Sequence, residues 1–256
     1  MRAALFYNPR LLCERIAELS FDRRRRSKLR GTVASKLLRG HIDSLELLEL
    51  LRADPPRVIY DIGAYIGTWT LLAKAIFPDA EVHAFEPLGQ LHDRFVETTA
   101  GLKGVTHHQI AIGATTGTRT MELASFLDSS SLLPMTKRQE VEFNTRPAGT
   151  VTVRTERLDD YVRQNAVPRP NLIKLDVQGC ELQALRGAEQ CLSTAGAIIS
   201  EVSFAEFYKE QCLFEDVVGF LSAHGFRTSA FGASTKVAAR ILQTDVLFER
   251  PSNRNR

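Results

Sequence analysis

The stretch Asp61-Ile62-Gly63-Ala64-Tyr65-Ile66-Gly67 decides the fold of this chain. It follows the apolar run Arg57-Val58-Ile59-Tyr60 and precedes a helical pattern over residues 68–77, so the sequence predicts a strand, a glycine turn and a helix. The helix N-terminus offers unpaired N–H donors, and glycines let a ligand come close to the backbone. This turn is therefore a candidate cofactor site.

Strand and helix patterns alternate after this turn. The predicted strands are 80–85, 105–112, 171–175 and 197–202, and the predicted helices are 88–100 and 181–192. Short connections between alternating strands and helices give right-handed crossovers and a parallel sheet that is covered on both faces. We therefore expect a doubly wound α/β fold.

Two regions depart from this alternation. After a helix at 215–224, strands at 226–231 and 241–249 have no helix between them, so they should pair as an antiparallel hairpin at the sheet edge. The region between the third and fourth strands contains strand patterns at 117–124 and 150–155 that flank a polar stretch. Insertions of this length are often lids over a site, with disorder as the alternative.

The N-terminal region has helical spacing of apolar residues and predicts two or three helices before Asp54-Pro55-Pro56 interrupts the pattern. We expect a helical extension over residues 1–54 and a catalytic domain over residues 55–250, with the extension and the insertion at 125–150 covering the pocket. The extension carries the run Arg23-Arg24-Arg25-Arg26. Such a run is usually a solvated face, and contact with phosphate or an acidic polymer is the alternative.

Composition excludes several classes of protein. The chain has 256 residues, 44% hydrophobic residues and a net charge of +3, which suits one large α/β core and is too weakly basic to indicate nucleic acid or membrane binding. No apolar run is long enough for a transmembrane helix and no signal peptide is evident, so a soluble, cytoplasmic protein is expected. The four cysteines (Cys13, Cys180, Cys191, Cys212) lack C-x-x-C spacing, so we predict neither disulfides nor a metal site.

The spacing of the glycine turn selects the cofactor. A dinucleotide motif needs glycines where Tyr65 and Thr68 stand, and no Gly-Lys-Ser/Thr triplet marks a P-loop. Glu86 ends the next predicted strand, 19 residues after Gly67, where a carboxylate can accept both ribose hydroxyls of an adenosine. S-adenosylmethionine fits this pattern, with its ammonium at Asp61 and its carboxylate at the N–H groups near Gly67 and Thr68. A tight turn beside a surface glutamate is the structural alternative.

Four segments together resemble the FkbM family of S-adenosylmethionine-dependent methyltransferases. They are residues 61–67, Ala84-Phe85-Glu86-Pro87, Ile173-Lys174-Leu175-Asp176-Val177-Gln178-Gly179-Cys180-Glu181 and Ile198-Ile199-Ser200-Glu201, and the likeness spans residues 55–249. The serine-bearing segment 128–132 is similar to a loop of that family.

The resemblance implies a class I methyltransferase fold, a Rossmann-like seven-stranded mixed sheet with strand order 3-2-1-4-5-7-6. It also implies O-methylation of a hydroxyl on a sugar, glycolipid or secondary metabolite. Three residues depart from the family pattern: Tyr65 stands where asparagine is more common, and Gln178 and Cys180 where glutamate and alanine are common.

The site residues follow from the strand ends, because ligands bind beyond the carboxyl ends of parallel strands. We expect Asp61, Glu86, Asp176 and Glu201 to face one crevice. Ile110 and Ala111 should contact adenine by their place in the fold, and Trp69 is expected in the core. The predicted cofactor-binding set is Asp61, Gly63, Ala64, Tyr65, Gly67, Thr68, Glu86, Pro87, Ile110, Ala111 and Asp176.

For catalysis we predict Asp176, Lys174 and Glu201. Methyl transfer from a sulfonium is an in-line displacement, so the enzyme aligns the acceptor and helps remove its proton. Asp176 is the preferred base, and Glu201, Glu181, His107 and His108 are alternatives. Lys174 should reach Asp176, Glu181 or Glu201, either as a structural pair or with a catalytic role.

The leading hypothesis is an O-methyltransferase acting on a small or carbohydrate-like acceptor. The arginine run motivates a nucleic-acid methyltransferase, which is less favoured because no aromatic platform accompanies it. A non-catalytic S-adenosylmethionine-binding scaffold is the third hypothesis, supported by Tyr65. A nicotinamide dehydrogenase is the least favoured, and the sequence indicates no oligomeric state.

Overall fold

The computed structural model describes residues 23–38, 41–237 and 240–251. Its strands are β1 (Val58–Ile62), β2 (Glu81–Phe85), β3 (Val105–His108), β4 (Ala111–Ile112), β5 (Gly117–Ala124), β6 (Pro147–Glu156), β7 (Leu172–Leu175), β8 (Ala197–Ser203), β9 (Arg227–Val237) and β10 (Arg240–Glu249). Its α-helices are α1 (23–28), α2 (Leu45–Leu50), α3 (Thr68–Ile76), α4 (His92–Thr98), α5 (Lys137–Glu142), α6 (Leu158–Gln164), α7 (Glu181–Arg186), α8 (Glu189–Leu192) and α9 (Phe214–Ala223).

The main sheet has seven strands in the order β3-β2-β1-β7-β8-β10-β9. Counted only among these seven strands, that order is 3-2-1-4-5-7-6, as expected. Strands β3, β2, β1, β7 and β8 are parallel, whereas β10 is antiparallel to both β8 and β9. The doubly wound fold and the C-terminal hairpin at the sheet edge are therefore confirmed.

Both faces of this sheet are buried. On one face, Tyr60 and Ile173 belong to a cluster that includes side chains of α6, α7, α8 and α9. On the other face, Ile59 belongs to a cluster with Leu48 of α2 and Leu72 of α3. The N-terminal helical segment thus packs on the sheet itself, and the domain boundary at residue 54 stays a prediction.

The expected third strand divides in two. β3 ends at His108, whose carbonyl oxygen accepts the N–H of Glu86 at 3.1 Å and that of Ile110 at 2.9 Å. β4 then leaves the main sheet and pairs with β6 in a three-stranded sheet of order β4-β6-β5. The two predicted strands of the insertion are present as β5 and β6, and α5 between them was not predicted.

Two expected long helices are also broken. The pattern over 88–100 becomes a 3₁₀ turn at Gly89–Leu91 followed by α4, and the pattern over 181–192 becomes α7 and α8. The second break lies at Gly187, where a Cβ atom would lie 2.1 Å from the carbonyl oxygen of Gly113. Asp159 then accepts the N–H groups of Gln190 and Cys191 in α8, at 2.8 and 2.9 Å. The close packing at Gly187 accompanies the end of α7, and the hydrogen bonds from α8 to Asp159 stabilise the new helix.

Three of the four arginines in the run agree with the solvated interpretation, and Arg25 departs from it. Arg23, Arg24 and Arg26 are exposed, but Arg25 is only 4% exposed. Its Nε donates to Glu46 at 2.8 Å, and its guanidinium also donates to the carbonyl oxygen of Ile42. Arg25 therefore joins α1 to the segment that leads into α2.

In the described ranges, no helix combines the length and apolar character required to cross a bilayer.

We predict that Arg25→Met lowers the free energy of unfolding by about 1–3 kcal/mol, because the buried carbonyl oxygen of Ile42 loses its donor and Glu46 loses its ion pair. Arg24→Met, one position earlier and exposed, should change it by less than about 0.5 kcal/mol. Urea denaturation of both variants measures the difference. Equal effects of the two substitutions would contradict a structural role for Arg25.

Candidate active site

A cavity of about 330 Å³ lies at the carboxyl ends of the parallel strands. Its floor comes from the turns after β1, β2 and β7 and from Glu201 within β8. Its walls come from the segment before α2, from the insertion between β5 and β6, and from β9 and β10. The expectation that the N-terminal extension and the insertion cover the pocket agrees with this arrangement.

The cavity brings together most of the predicted site residues. Those that line it are Gly63, Ala64, Tyr65, Thr68, Glu86, Pro87, Ile110, Ala111, Lys174, Asp176 and Glu201. Asp61 and Gly67 do not line it, and neither do Glu181, His107 and His108. Trp69 is 8% exposed and packs in the core as expected, but it also lines the cavity.

The two glycines of the turn are required by packing within the protein. A Cβ at Gly63 would lie 1.8 Å from the carbonyl oxygen of Asp176, and one at Gly67 would lie 3.0 Å from the side chains of Phe95 and Thr99. Both glycines have φ of +82°, where other residues are strained. The close approach of the segment after β7 to Gly63, and of helix α4 to Gly67, gives a packing reason for both glycines. That the glycines also leave room for a ligand stays a prediction.

Tyr65 occupies a backbone conformation that explains why asparagine suits this position. Its φ is +51°, a left-handed value that asparagine tolerates better than most residues. Its N–H donates to Glu86 at 3.0 Å, and the residue packs against a hydrophobic cluster that includes Leu88 and Leu91. Tyr65 therefore adopts the backbone conformation that the turn requires and forms part of the cavity lining.

Glu86 is suited to bind two hydroxyl groups. One carboxylate oxygen accepts the N–H of Tyr65 and the other accepts the N–H of Leu88 at 2.9 Å. A carboxylate has about four acceptor positions, so acceptor capacity remains on the cavity side. Burial raises the pKa of Glu86 to about 7, although the two backbone N–H groups oppose this shift. An adenosine ribose fits this group.

The N-terminus of α3 is suited to bind a carboxylate. Gly67 is its N-cap residue and no side chain caps it, and its first turn contains no acidic residue. Thr68 and Trp69 of that turn line the cavity. The N–H groups of an uncapped helix start attract anions. The residues present thus fit a cofactor that has both a ribose and a carboxylate.

Asp61, Lys174 and Asp176 form a charged group at the cavity, in which Asp61 and Lys174 are buried and Asp176 is partly exposed. Lys174 Nζ lies 3.2 Å from Asp176 Oδ2 and 3.7 Å from Asp61 Oδ1, and Thr70 donates to Asp61 Oδ2 at 2.6 Å. Burial alone would lower the pKa of Lys174, but Asp176 and Asp61 outweigh it and raise that pKa. Burial raises the pKa of Asp61.

This arrangement corrects the expected role of Asp61. The side chain is fully buried and does not line the cavity, so it is not in place to contact a ligand ammonium directly. It supports Lys174 and α3 instead. The expected contact of Lys174 with Asp176 is present, and the side chain of Asp176 is 31% exposed at the cavity wall.

Glu201 is less suited than Asp176 to accept a proton. Gln243 Nε2 donates to it at 3.2 Å. Burial and the neighbouring carboxylates of Asp176, Asp245 and Glu181 raise the pKa of Glu201 well above its usual range. A carboxyl group in these surroundings retains its proton more readily than a solvated one.

The other candidate bases serve the structure. Glu181 accepts the N–H groups of Val177 and Gly179. His107 pairs with His92, and His108 contacts His83 and Tyr161. Burial lowers the pKa of both His107 and His108 to about 4, with neighbouring histidines contributing. Both rings are therefore neutral at pH 7.

A chain of hydrogen bonds that the sequence did not indicate links the insertion to Asp176. Gln178 Nε2 donates to Asp176 at 2.8 Å, Tyr208 Oη lies 2.9 Å from Gln178 Oε1, and Gln139 Nε2 donates to Tyr208 at 3.1 Å. Ser131 of the serine-bearing loop donates to the carbonyl oxygen of Gln178 at 2.7 Å. The serine-rich run was the one signal in the sequence for these contacts.

This fold and cavity define the class of Rossmann-like methyltransferases, in which an adenosine-containing cofactor binds beyond the strand ends. Residues 61–228 match the family described as "Methyltransferase FkbM domain", which is more than half of the chain. The chain belongs to the FkbM methyltransferase family, and its cofactor is S-adenosylmethionine.

Several known proteins are similar to this chain. The hexuronic acid methyltransferase AglP of Haloferax volcanii is 30% identical over 64% of this chain and 63% of AglP, so the match spans less than two thirds of that relative. The 2-O-methyltransferase NoeI of Sinorhizobium fredii is 29% identical over 68% of this chain and 73% of NoeI. The precorrin-6y C5,15-methyltransferase of Geobacter metallireducens is similar in structure, with a TM-score of 0.49 and 14% identity over 85% of this chain and 92% of that one.

The raised pKa of Glu86 predicts a pH dependence of stability. The folded protein holds this proton up to about pH 7, whereas the unfolded chain releases it near 4.5. The contribution of Glu86 to stability is therefore greatest below pH 4.5 and declines by up to about 3 kcal/mol as the pH rises through 7. Glu86→Gln lacks this titration, so its stability relative to the wild type should increase between pH 5 and pH 8.

Urea unfolding of both proteins at several pH values measures this difference. The difference is the informative quantity, because His107 and His108 have lowered pKa values and act in the opposite direction in both proteins. Parallel pH profiles for the wild type and Glu86→Gln would show that Glu86 has an ordinary pKa.

Proposed function

We propose that this protein transfers a methyl group from S-adenosylmethionine to a hydroxyl of a sugar, glycolipid or secondary metabolite. The observation that carries this proposal is the Asp176 carboxylate, which is held between Lys174 and Gln178 at the wall of the cavity that Glu86 also lines. The names of two relatives, a hexuronic acid methyltransferase and a 2-O-methyltransferase, support a hydroxylated acceptor.

The cofactor would be held by the groups described above. Glu86 accepts the ribose hydroxyls, the first N–H groups of α3 bind the carboxylate, and Ile110 and Ala111 give an apolar surface for adenine. The bound cofactor supplies an electrophilic methyl group on a sulfonium. The protein's own part is to orient the acceptor and remove its proton.

Asp176 would accept the proton of the acceptor hydroxyl. Its two carboxylate oxygens receive hydrogen bonds from Lys174 and Gln178, which fix its orientation. Lys174 is a positioning residue in this scheme, because it is nearly buried and is anchored by Asp61 on its other side. Glu201, whose pKa is raised, is the alternative acid or base at the same wall.

A reducing compartment such as the cytoplasm suits the chain. Cys180, Cys191 and Cys212 are buried and unpaired, and burial raises the pKa of each thiol. Thiols of this kind are weak nucleophiles and oxidise slowly. Cys13 lies outside the described residues.

Isothermal titration with S-adenosylmethionine tests the first half of the proposal. The wild type should bind, and Glu86→Ala should weaken binding about tenfold or more, because hydrogen bonds between hydroxyls and a carboxylate are lost. Glu97→Gln on the exposed side of α4 is the matched control and should bind as the wild type does. Absence of binding by the wild type would refute the proposal.

Asp176→Asn tests the second half. This change preserves shape and removes the base, so the methyl-transfer rate at saturating cofactor should fall by about 10²- to 10⁴-fold. The acceptor can be found by mass spectrometry of cell extract incubated with the protein and methyl-labelled cofactor. If cofactor binds and no extract component is methylated, the non-catalytic scaffold becomes the better hypothesis.

A further inference from the structure

Tyr208 lies behind the wall of the cavity, in the loop that connects β8 to α9. It is buried, and it is not among the residues that line the cavity. Two backbone hydrogen bonds pair this loop with the insertion. The N–H of Thr136 donates to the carbonyl oxygen of Phe207 at 2.9 Å. The N–H of Lys209 donates to the carbonyl oxygen of Pro134 at 2.8 Å. The position of Tyr208 is therefore tied to that of the insertion.

The Tyr208 hydroxyl has one proton and two carbonyl oxygens that can accept it. Its oxygen lies 2.8 Å from the backbone carbonyl oxygen of Ser129 in the insertion and 2.9 Å from Gln178 Oε1 in the turn after β7. Gln139 Nε2, from α5 of the insertion, donates to the same hydroxyl at 3.1 Å. Burial raises the pKa of Tyr208, so the hydroxyl keeps its proton and remains a donor. One hydroxyl thus joins two parts of the insertion to the turn after β7.

The amide of Gln178 passes this contact on to Asp176. An ionised carboxylate can only accept hydrogen bonds, so the amide nitrogen of Gln178 must face Asp176, at 2.8 Å, and the amide oxygen must face Tyr208. Turning the amide over would place its oxygen against the carboxylate. The proton that Tyr208 donates therefore selects the amide orientation that supports an ionised Asp176.

The backbone of Gln178 is also held in an uncommon conformation. Its φ is +53°, in the left-handed region that residues other than glycine rarely occupy. Ser131 Oγ of the insertion donates to its carbonyl oxygen at 2.7 Å. At the next residue, a Cβ on Gly179 would lie 2.8 Å from Gln211 Cβ in the loop between β8 and α9. Strained positions persist where surrounding contacts hold them, and here the contacts come from the insertion and from this loop.

We propose that Tyr208 is a positioning residue for methyl transfer. Its hydroxyl holds the amide of Gln178 in the orientation that aligns the Asp176 carboxylate, and it makes this alignment depend on the seating of the insertion. Ser129 and Gln139, which contact the hydroxyl, belong to the cavity lining, so an acceptor that packs against the insertion influences the base through Tyr208. This inference rests on the proposed function, because Asp176 is the base proposed there.

A double-mutant cycle tests this role. The rate is measured as incorporation of label when cell extract is incubated with saturating methyl-labelled S-adenosylmethionine. Tyr208→Phe keeps the ring and removes the hydroxyl, so the rate should fall about fivefold to twentyfold, because a hydrogen bond that orients the base is lost. In the Asp176→Asn background, the same change should alter the rate less than about twofold, because the base is already absent. A purely structural role would slow both backgrounds by the same factor.

Tyr161→Phe is the matched control. The Tyr161 hydroxyl contacts His108 Nδ1 at 3.0 Å, and Tyr161 is not among the residues that line the cavity. This change also removes one hydroxyl, but the methylation rate should stay within about twofold of the wild type. Gln178→Met interrupts the chain at its next link and should show the same dependence on Asp176. Calorimetry should give both tyrosine variants the affinity of the wild type for S-adenosylhomocysteine, which shows that the fold is intact.

The outcomes separate the two proposals. If the wild type methylates no component of the extract, the proposed function fails and this inference fails with it. If the wild type is active and Tyr208→Phe is equally active, the inference alone is overturned. Equal slowing by Tyr208→Phe in the wild-type and Asp176→Asn backgrounds, or equal slowing by Tyr208→Phe and Tyr161→Phe, also overturns it.

Discussion

The close approach of the turn after β1 to the turn after β7 governs the site. At Gly63, any side chain would collide with the carbonyl oxygen of Asp176, because a Cβ there would lie only 1.8 Å from it. β1 and β7 are adjacent parallel strands, so this contact sets how near the cofactor turn lies to Asp176. Gly63, which close backbone packing requires, thus sets the distance between the proposed cofactor turn and the proposed base Asp176.

Buried charge fixes the remaining geometry. Burying the charge of Lys174 inside the sheet would destabilise the fold without its two carboxylates. Burying Asp61 would likewise destabilise it without Lys174 and Thr70. These contacts join β1, α3 and β7 around one point. Of this group, Lys174 and Asp176 both line the cavity and Asp176 is the more exposed of the two, so the buried Lys174 helps to fix the orientation of Asp176.

The sequence predicted those parts of the structure that depend on local pattern. Alternating strand and helix periods and their punctuation were enough for the doubly wound parallel sheet and the edge hairpin, and strand ends were enough for Glu86 and Asp176. The strand order came from the resemblance to the FkbM family. The break at Gly187 was not predictable, because the atom that forbids a side chain there belongs to Gly113, far away in the chain. Gln139 was missed because the insertion brings it to the cavity without a motif, and Arg25 because its burial depends on tertiary packing.

β10 lies outside the segment that matches the family but inside the main sheet. The family match ends at residue 228, yet β10 (Arg240–Glu249) lies between β8 and β9 in the sheet and contributes a wall of the cavity. Residues before the match, at α2, likewise complete the core on one face. The segment that matches the family is therefore shorter than the part of the chain that forms the seven-stranded sheet and lines the cavity. Substitutions at these two flanks would therefore change the walls of the cavity and leave the turn after β1 intact.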